Sequence, residues 1–304
     1  MRRYSIFAVT TVLGVGAVVA AGAGASAFGS KGSSRSFARV AHQVKPNREF
    51  RPVKSLARLR GVNFVSGCRF SHRNTDDPIV FPGQPGKSHD HTFIGNDTTN
   101  AFSTLSSLLG QSSSCRRPGD TAAYWAPTLI DAGGQAVTPR SATVYYRRHT
   151  LDPVQPFPQG FKLIAGNSKA TEPQALMVTY WNCGPVAGIR PTSTIPMCPD
   201  AERQALTLHV RFPNCWDGVN LDSPDHQSHM AYSVRGRCPS DHPVAMPAIQ
   251  VNLRYPTAGG PGFALSSGGQ FSGHADFFNA WQQGVLTTLV QRCLNGLRHC
   301  QQGS

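Results

Sequence analysis

The chain has 304 residues, of which 39% are hydrophobic and 15% are charged, and its formal net charge is +13. This length and apolar content suffice to bury a sizeable core, which excludes a wholly disordered chain and predicts a stable globular body. No segment beyond residue 27 has about 18 consecutive apolar residues, so a later membrane-spanning helix is excluded as well.

Residues 1–27 have the features of a secretory signal peptide. Arg2 and Arg3 precede an uncharged run rich in Val, Ala and Gly, and Ala25-Ser26-Ala27 is an A-x-A cleavage pattern. The alternative is an uncleaved membrane anchor, because the uncharged run is nearly long enough to span a bilayer. The small residues at its end favour cleavage, so the sequence predicts a secreted protein, extracellular or associated with the cell wall.

The positive charge is concentrated between residues 28 and 60. This segment has nine Lys or Arg residues and one acid, which leaves a net charge of +3 for residues 61–304 once Arg2 and Arg3 leave with the signal. A Ser- and Gly-rich segment of low hydrophobicity is usually disordered, so we predict a basic disordered linker over 28–60. Adhesion to an anionic wall polymer is its alternative role. The near-neutral body argues against a nuclease, and we expect no specific nucleic-acid partner.

The body over 61–304 is predicted to be a single, mainly β domain. Its Gly and Pro residues, 30 and 23 in the whole chain, separate short apolar or alternating runs as turns separate strands. In residues 206–212 the alternation is strict, which places His209 on the solvent side. The pattern predicts an antiparallel β-sandwich or jelly-roll-like body with a C-terminal helix and long disulfide-linked loops. The predicted strands are 62–70, 92–94, 124–130, 143–147, 161–164, 176–181, 206–212, 230–234 and 249–255.

Two segments have the apolar spacing of amphipathic helices. Residues 101–110 place Phe102 on a stripe with three leucines, and Thr99 or Asn100 is the expected cap, with Gly110 as the stop. Residues 277–297 repeat apolar side chains every three or four positions, so we expect this helix to pack on the sheet.

Eight cysteines follow the export signal: Cys68, Cys115, Cys183, Cys198, Cys215, Cys238, Cys293 and Cys300. An even count in an exported chain predicts four disulfides. No C-x-x-C pair is present, so there is no zinc-ribbon pattern. Many pairings are compatible with eight cysteines, and the pairing of neighbours along the chain is the simplest. If Cys215 pairs with Cys238, the bridge fixes both ends of a segment rich in His and Asp.

That segment, residues 215–229, is the densest in chemical groups. So many titratable side chains in a short turn-rich stretch are rarely needed for folding alone. Its two histidines share a face if the stretch is helical, but Ser223-Pro224 makes a turn an equal alternative. The stretch contributes Asp217, Asp222, Asp225, His226 and His229.

Three further motifs combine histidine with aspartate. They are His89-Asp90-His91, Asp241-His242 and His274-Ala275-Asp276. In an extended chain His89 and His91 point to the same face, where two imidazoles can bind a metal. Structural interpretations also exist: Asp276 fits the N-cap of the predicted long helix, and His242 fits a partly buried, hydrogen-bonded histidine.

For Asp222 and Asp225 the structural alternative is an Asx-turn around Ser223-Pro224. Six of the eleven histidines nevertheless fall in these four short motifs, each beside an Asp or a Ser. Their concentration favours one shared polar site, provided that the fold brings the motifs together.

Five segments carry a family resemblance. They are D-P-I-V-F-P-G-Q-P-G-K-S-H-D-H-T-F-I-G-N from Asp77, Y-W-A-P-T-L from Tyr124, F-P-Q-G-F-K-L-I-A-G from Phe157, R-F-P-N-C-W-D-G-V-N-L-D-S-P-D-H-Q-S-H-M-A-Y from Arg211 and H-A-D-F-F-N-A-W from His274. In this order they resemble the secreted domain-of-unknown-function family numbered 1996, over nearly all of residues 61–304. That family occurs in exported proteins of actinobacteria and fungi, sometimes beside carbohydrate-binding modules. The resemblance implies that extracellular or cell-wall polysaccharide is the partner, and it supplies no reaction.

Two hypotheses from different classes follow. In the first, the motifs form a polar cleft in which a hydrolase cleaves polysaccharide by acid/base catalysis, with two carboxylates about 5–9 Å apart and imidazoles that transfer protons. The candidate catalytic residues are His89, His91, Asp222, Asp225, His226, His229, His274 and Asp276. The candidate substrate-binding residues are Trp125, Trp216 and Trp281, as sugar-stacking faces, and His242.

No cofactor is expected under this hypothesis. A divalent metal held by the histidines ranks below the metal-free mechanism, because no ligand set has a diagnostic spacing. In the second hypothesis the same residues form a hydrogen-bonded network that stiffens a non-catalytic domain, whose surface binds glycan or a wall polymer.

Overall fold

The computed structural model describes residues 50–184, 190–203 and 205–301. The predicted signal peptide over 1–27 and the predicted linker as far as residue 49 lie outside the described residues. None of the helices in the described ranges has the length and apolar character needed to cross a bilayer.

Short strands are the main regular structure of the described chain, as the sequence predicts. They are β1 (Asn63–Cys68), β2 (Phe70–Asn74), β3 (His91–Gly95), β4 (Ala123–Pro127), β5 (Leu129–Ile130), β6 (Ala136–Val137), β7 (Ser141–Arg147), β8 (Lys162–Gly166), β9 (Thr179–Cys183), β10 (Leu206–Arg211), β11 (Cys215–Trp216), β12 (Met230–Ala231), β13 (Val244–Ala245), β14 (Ala248–Arg254), β15 (Ala264–Leu265), β16 (His274–Phe278) and β17 (His299–Cys300). The helical segments are a 3-10 turn (Leu56–Leu59), α1 (Leu105–Leu108), α2 (Gln283–Leu289) and a π-helical stretch (Val290–Asn295).

Two large sheets form the body. One has six strands in the order β17-β1-β7-β14-β10-β9, and the other has five in the order β2-β3-β4-β16-β8. Paired neighbours are antiparallel, except for the parallel pair of β1 and β17. Two small sheets of three strands, β12-β11-β13 and β15-β5-β6, complete the described pairing.

The inner faces of the two large sheets share one hydrophobic core. The six-stranded sheet contributes Phe64 and Tyr146, whose rings stack 4.6 Å apart, and the five-stranded sheet contributes Tyr124 and Phe277, 5.3 Å apart. Burial alternates along all seven residues of β7, so one side of the strand faces this core. The predicted mainly β, antiparallel sandwich is therefore confirmed.

The strand β10 does not follow the predicted alternation, because both of its sides are buried as far as Val210. His209, expected to face solvent, is only 8% exposed. Its ring stacks on Tyr180 at 4.3 Å, and its two nitrogens lie 2.8 Å from the side-chain oxygens of Asn182 and Asn252. Neighbouring polar and aromatic side chains therefore cover His209 on the outer face of β10.

The predicted helix over 277–297 is shorter than expected, because residues 274–278 form the strand β16 between β4 and β8. Phe277 enters the central core, while Phe278 enters a second apolar cluster on the other face of the sheet. Two adjacent aromatic residues that are both buried on opposite faces suit a strand, where side chains alternate. Asp276 is consequently a mid-strand residue and not a helix cap.

The predicted helix over 101–110 is a single turn, α1. Thr104 caps it, because its hydroxyl accepts the Ser107 N–H while the Ser107 hydroxyl accepts the Thr104 N–H. The cap therefore lies beyond both predicted positions, and Phe102 is left outside the helix with 65% exposure. Gly110 ends the segment with a φ of +73°, as a stop residue should.

Val53 and Leu59 contact the body, although the sequence assigns them to the linker over 28–60. The Val53 N–H donates to the Leu151 carbonyl over 2.8 Å, and Leu59 is 7% exposed at the end of the 3-10 turn. The packed chain therefore extends upstream of the predicted boundary at residue 61.

Four disulfides join neighbouring cysteines in chain order. They are Cys68–Cys115, Cys183–Cys198, Cys215–Cys238 and Cys293–Cys300. The simplest of the pairings open to the sequence is thus the one that forms. Four disulfides are consistent with an extracellular protein.

A chain of polar side chains crosses the core between the sheets. The Tyr124 hydroxyl lies 3.0 Å from Asp120 Oδ1 and 2.6 Å from the Tyr146 hydroxyl, which accepts the Trp281 indole N–H over 2.9 Å. Asp120 is 1% exposed, and its burial raises its pKa to about 7. The folded protein therefore holds the Asp120 proton more tightly than the unfolded chain does.

Because the pKa of Asp120 is higher in the folded than in the unfolded protein, the free energy of unfolding should fall as pH rises from about 4 to about 7. The fall due to this group is on the order of 3–4 kcal/mol. We expect Asp120→Asn to remove that part of the pH dependence, measured by urea unfolding across this range. Asp97→Asn, at an exposed carboxyl, controls for the loss of one charge. Equal pH slopes in wild type and Asp120→Asn would contradict this assignment.

Candidate functional site

The candidate site lies on the outer face of the five-stranded sheet, away from the central core. In β16, Ala275 and Phe277 face the core, so His274 and Asp276 face outward. In β3, Ile94 faces the core, which puts His91 on the same outer face. Two strands that are remote in sequence therefore present their polar side chains on one surface.

The pairing of β4 sets the distance between these two strands. In β4, Trp125 pairs with Asp276 on one side and with Phe93 on the other, and Pro127 pairs with His91. The strands β3 and β16 thus flank β4. The loop that precedes β3 covers the outer face with Asp77 and His89.

Five side chains converge there, and we call them the histidine-carboxylate cluster: His89, His91, His274, Asp77 and Asp276. One donor atom from each of the three histidines lies within 4.8 Å of the other two. The same holds for one donor atom from each of Asp77, His91 and Asp276. His91 belongs to both triads, so it is the centre of the cluster.

The ring nitrogens of two histidines are oriented by the backbone. Nδ1–H of His91 donates to the Asp76 carbonyl over 3.0 Å, and Nδ1–H of His274 donates to the Ser272 carbonyl over 2.8 Å. A neutral imidazole that donates from Nδ1 keeps a lone pair on Nε2. This is the arrangement of metal-binding histidines, whose second nitrogen is held by a carbonyl or a carboxylate.

Several polar atoms of the cluster are buried without a hydrogen-bond partner among the described residues. They are Nε2 of His89, Nε2 of His91 and both carboxylate oxygens of Asp276. Burying such groups without partners is unfavourable, so each normally finds a donor, an acceptor or an ion. Four unsatisfied ligand atoms in one cluster form a donor set that can coordinate a cation.

Burial also disfavours protonated histidines in the cluster. It lowers the pKa of His89 to about 4, that of His274 to about 3, and that of His91 well below its usual value. Burial raises the pKa of Asp276 well above its usual value, and repulsion from Asp77 adds to the effect. Burial also raises the pKa of Asp77, while the hydrogen bonds that its carboxylate accepts from the N–H groups of Val80 and Ile79 oppose this rise.

No Lys or Arg of the described chain forms an ion pair with Asp77 or Asp276. The cluster therefore combines neutral imidazoles with two buried carboxyl groups that have no ion-pair partner in the described chain. A divalent ion would balance two carboxylates and fill the free positions of the histidines.

A second pair, which we call the His226 dyad, lies beside the cluster. Nδ1 of His226 is 2.7 Å from Oδ1 of Asp222, whose Oδ2 is 3.7 Å from Nζ of Lys162. The Ile164 N–H donates to the His226 carbonyl, which ties the loop to the edge strand β8. His226 is also near enough to Asp77 to lower the pKa of that carboxyl by electrostatic attraction.

His226 has a φ of +57°, in the left-handed region that non-glycine residues rarely adopt. Such a conformation is typical of functional sites, where the surrounding structure holds it in place. Here the Cys215–Cys238 bridge closes the segment that contains the loop. The Nδ1–Asp222 contact leaves Nε2 of His226 with a lone pair, as in a general base.

Two predicted catalytic residues, Asp225 and His229, hold the loop instead of joining the cluster. Oδ1 of Asp225 accepts the N–H groups of Ser228 and Gln227, and these bonds, with that of Ser228 largest, lower its pKa. The ring nitrogens of His229, which is 1% exposed, lie 2.8 Å from Ser223 Oγ and from the Lys162 carbonyl. Asp225 therefore behaves as in the Asx-turn alternative, and His229 joins the loop to β8.

The predicted substrate-binding residues do not form a sugar-stacking surface. Trp125, Trp216 and Trp281 are each at most 1% exposed, so their ring faces are used in packing. His242 lies outside the cluster, where its Nε2 donates to the Ser228 carbonyl over 2.9 Å. Core packing of the tryptophans explains their number better than sugar recognition does.

Of the eight predicted catalytic residues, four enter the cluster and two form the dyad. Those in the cluster are His89, His91, His274 and Asp276; those in the dyad are Asp222 and His226. The sequence did not single out Asp77. Its one signal in the sequence was its position at the start of the segment that also contains His89 and His91.

A family model described as "Domain of unknown function (DUF1996)" matches residues 77–281, more than half of the chain. No match was found among curated proteins or among solved structures. The matched range begins at Asp77 and ends at Trp281, so it contains the whole histidine-carboxylate cluster and the His226 dyad.

Proposed function

The chain belongs to this family of unknown function, and from that premise we propose that it is an extracellular, metal-dependent hydrolase. The histidine-carboxylate cluster binds the metal, and the His226 dyad transfers protons. The observation that carries the proposal is the set of buried, unpartnered ligand atoms on His89, His91 and Asp276.

The donor set fits a divalent transition metal. Imidazole nitrogens together with carboxylate oxygens suit zinc, iron, copper or nickel, and pure oxygen ligation for calcium or magnesium is absent from this cluster. A bound ion of this kind polarises the substrate and makes water a better nucleophile at neutral pH. Nε2 of His226 accepts the proton of the attacking water, and Asp222 stabilises the resulting imidazolium.

Two residues mark the open side of this arrangement. His89 and His226 are half-buried, whereas His91, His274 and Asp276 are at most 3% exposed. A catalytic metal site keeps one coordination position open, while a structural site is closed by protein ligands. His89 is the only member of the cluster that is not fully buried, so in the catalytic alternative the substrate approaches from its side.

The two-carboxylate mechanism is less well supported. Oxygens of Asp77 and Asp276 lie within 4.8 Å of each other, but these residues are only 3% and 1% exposed. Glycosidase carboxyls flank a sugar and must reach it. The exposed Asp225 is occupied by its own turn. We therefore place the metal mechanism above the metal-free one, which reverses the order favoured by the sequence.

Polysaccharide is the substrate class that we propose, on the strength of the family resemblance. The test is to purify the mature protein without chelator and to measure its metal content by mass spectrometry. Chelator-treated protein is then reloaded with zinc, iron, copper or nickel. We expect about one divalent ion per chain, because the cluster forms a single site.

Soluble sugars released from a panel of insoluble polysaccharides are then measured with the metal-free and reloaded proteins. Release that depends on the metal supports the proposal. A bound ion without release from any polymer would favour the non-catalytic glycan-binding alternative. Protein without a bound ion that still releases sugars would overturn the metal mechanism.

A further inference from the structure

A second polar site lies on the outer face of the six-stranded sheet. Arg147 at the end of β7, Gln250 in β14 and Arg211 at the end of β10 are brought together there by the strand register, which pairs Gln250 with Arg211. Arg147 donates to Oε1 of Gln250 over 2.6 Å, and Nε of Arg211 donates to the same oxygen over 3.3 Å. One neutral oxygen therefore serves two guanidinium groups.

These two cations have no carboxylate partner. None of the ion pairs in the described chain includes Arg147 or Arg211. Burial lowers the pKa of Arg147, and the charge of Arg211 lowers it further. Two adjacent guanidinium groups without an anion are unfavourable unless a bound anion or solvent compensates them.

Aromatic rings hold both guanidinium groups in place. Arg147 lies over Tyr145, 4.3 Å from the ring centroid, and Arg211 lies over Tyr180 at 4.8 Å. The planar fork of arginine suits carboxylate and phosphate oxygens, and stacking reduces the freedom that it loses on binding. The site is thus organised before any ligand arrives.

A small cavity of about 130 Å³ opens between these side chains. Asn214 also lines it, with 3% exposure. Its Oδ1 accepts the Ser233 N–H over 3.1 Å, while its Nδ2 is buried without a partner in the described chain. The cavity is thus lined by an amide N–H without an acceptor and by two guanidinium groups without a carboxylate partner. Such a set of donors favours a ligand with negatively charged acceptor atoms.

We propose that this cavity binds the oxyanion of an acidic glycan, a carboxylate or a phosphate carried on an extracellular polymer. Arg147 and Arg211 bind the anion, and Nδ2 of Asn214 donates the additional hydrogen bond. The site lies on the opposite sheet from the histidine-carboxylate cluster and does not depend on the metal.

The test measures binding of the mature protein to polygalacturonate, to poly(glycerol phosphate) and to a neutral β-glucan by calorimetry. We expect the double variant Arg147→Gln/Arg211→Gln to bind at least one anionic polymer roughly 10- to 100-fold more weakly. Arg116→Gln removes a charge at an exposed position and should leave affinity unchanged. Loss of affinity for only one polymer identifies which oxyanion the cavity takes.

A second variant keeps the test decisive if the arginine changes disturb folding. Asn214→Asp retains the acceptor for Ser233 and replaces the unpartnered amide by a carboxylate among the arginines. It should raise the melting temperature and abolish binding to the anionic polymers. Unchanged affinity in both this variant and the double arginine variant, or equal affinity of the wild type for the neutral glucan, would overturn the proposal.

Discussion

His91→Ala is expected to abolish stoichiometric metal binding, because His91 belongs to both triads of the cluster. Loss of one directly bound ligand should weaken metal affinity by more than roughly 100-fold, beyond the effect seen when only the partner of a ligand is removed. A ligand present at about 1,000 times its dissociation constant stabilises a folded protein by roughly 4 kcal/mol, and we expect the metal to stabilise the wild type by this amount. A chelator should therefore lower the wild-type melting temperature by roughly 10 °C and leave that of His91→Ala unchanged.

His229→Ala is the matched control for this change. His229 is as deeply buried as His91, but its ring nitrogens already have partners in Ser223 and Lys162. Its removal should destabilise the fold while the metal content stays the same. If both variants retain the metal, or if both lose it, the cluster is not the binding site.

Asp276→Asn distinguishes the effect of metal binding on stability from the effect of burying an ionised carboxyl group. Because the folded state raises the pKa of Asp276, ionising this group in the metal-free protein lowers stability as pH rises toward neutrality. The metal-free variant should therefore be more stable than the metal-free wild type at neutral pH, yet gain nothing from added metal. A variant that still gained stability from metal would contradict this role for Asp276.

His226→Gly is expected to lower turnover of the polysaccharide that the metal-loaded protein degrades by about 10²- to 10⁴-fold, the usual contribution of a general acid or base. Glycine is chosen because it adopts a φ of +57° without strain, so the imidazole is lost while the loop keeps its course. The metal content should be unchanged, since His226 is outside both triads. Turnover and metal content are measured on the same preparation.

His226→Ala tests the backbone separately. Alanine in the left-handed region is about 1–2 kcal/mol less favourable than glycine, so His226→Ala should be less stable than His226→Gly, with the same loss of turnover. His242→Ala, outside the cluster, should keep both properties. Turnover by His226→Gly within about twofold of wild type would remove His226 from the mechanism.

Local pattern was enough to predict much of this fold. The alternation of apolar and polar residues in β7 and β14 favours strands without any knowledge of their partners. The sequence left the pairing of the cysteines open, and the simplest possibility, that of neighbours along the chain, is the one observed. In the loop before β3, the spacing of His89 and His91 placed both on one face.

The remainder depended on tertiary context that no local pattern contains. Residues 274–278 have apolar spacing compatible with a helix, and only pairing with β4 and β8 makes them a strand. Asp77 looks like an ordinary turn residue until the loop folds over the sheet. The metal mechanism that we propose had no signal in the sequence for the same reason, because the candidate ligands come from two strands and a loop and have no common spacing.

The order of the four disulfides bears on how the chain reaches its native state. Each cysteine pairs with the next one along the sequence, at separations of 47, 15, 23 and 7 residues. When a chain emerges from its amino end, the second cysteine of each pair appears while only the first cysteine of that pair is unpaired. The one free thiol available to it is therefore its native partner. Oxidation during emergence yields the correct set directly, and the loop that holds His226 is closed before the last strand has appeared.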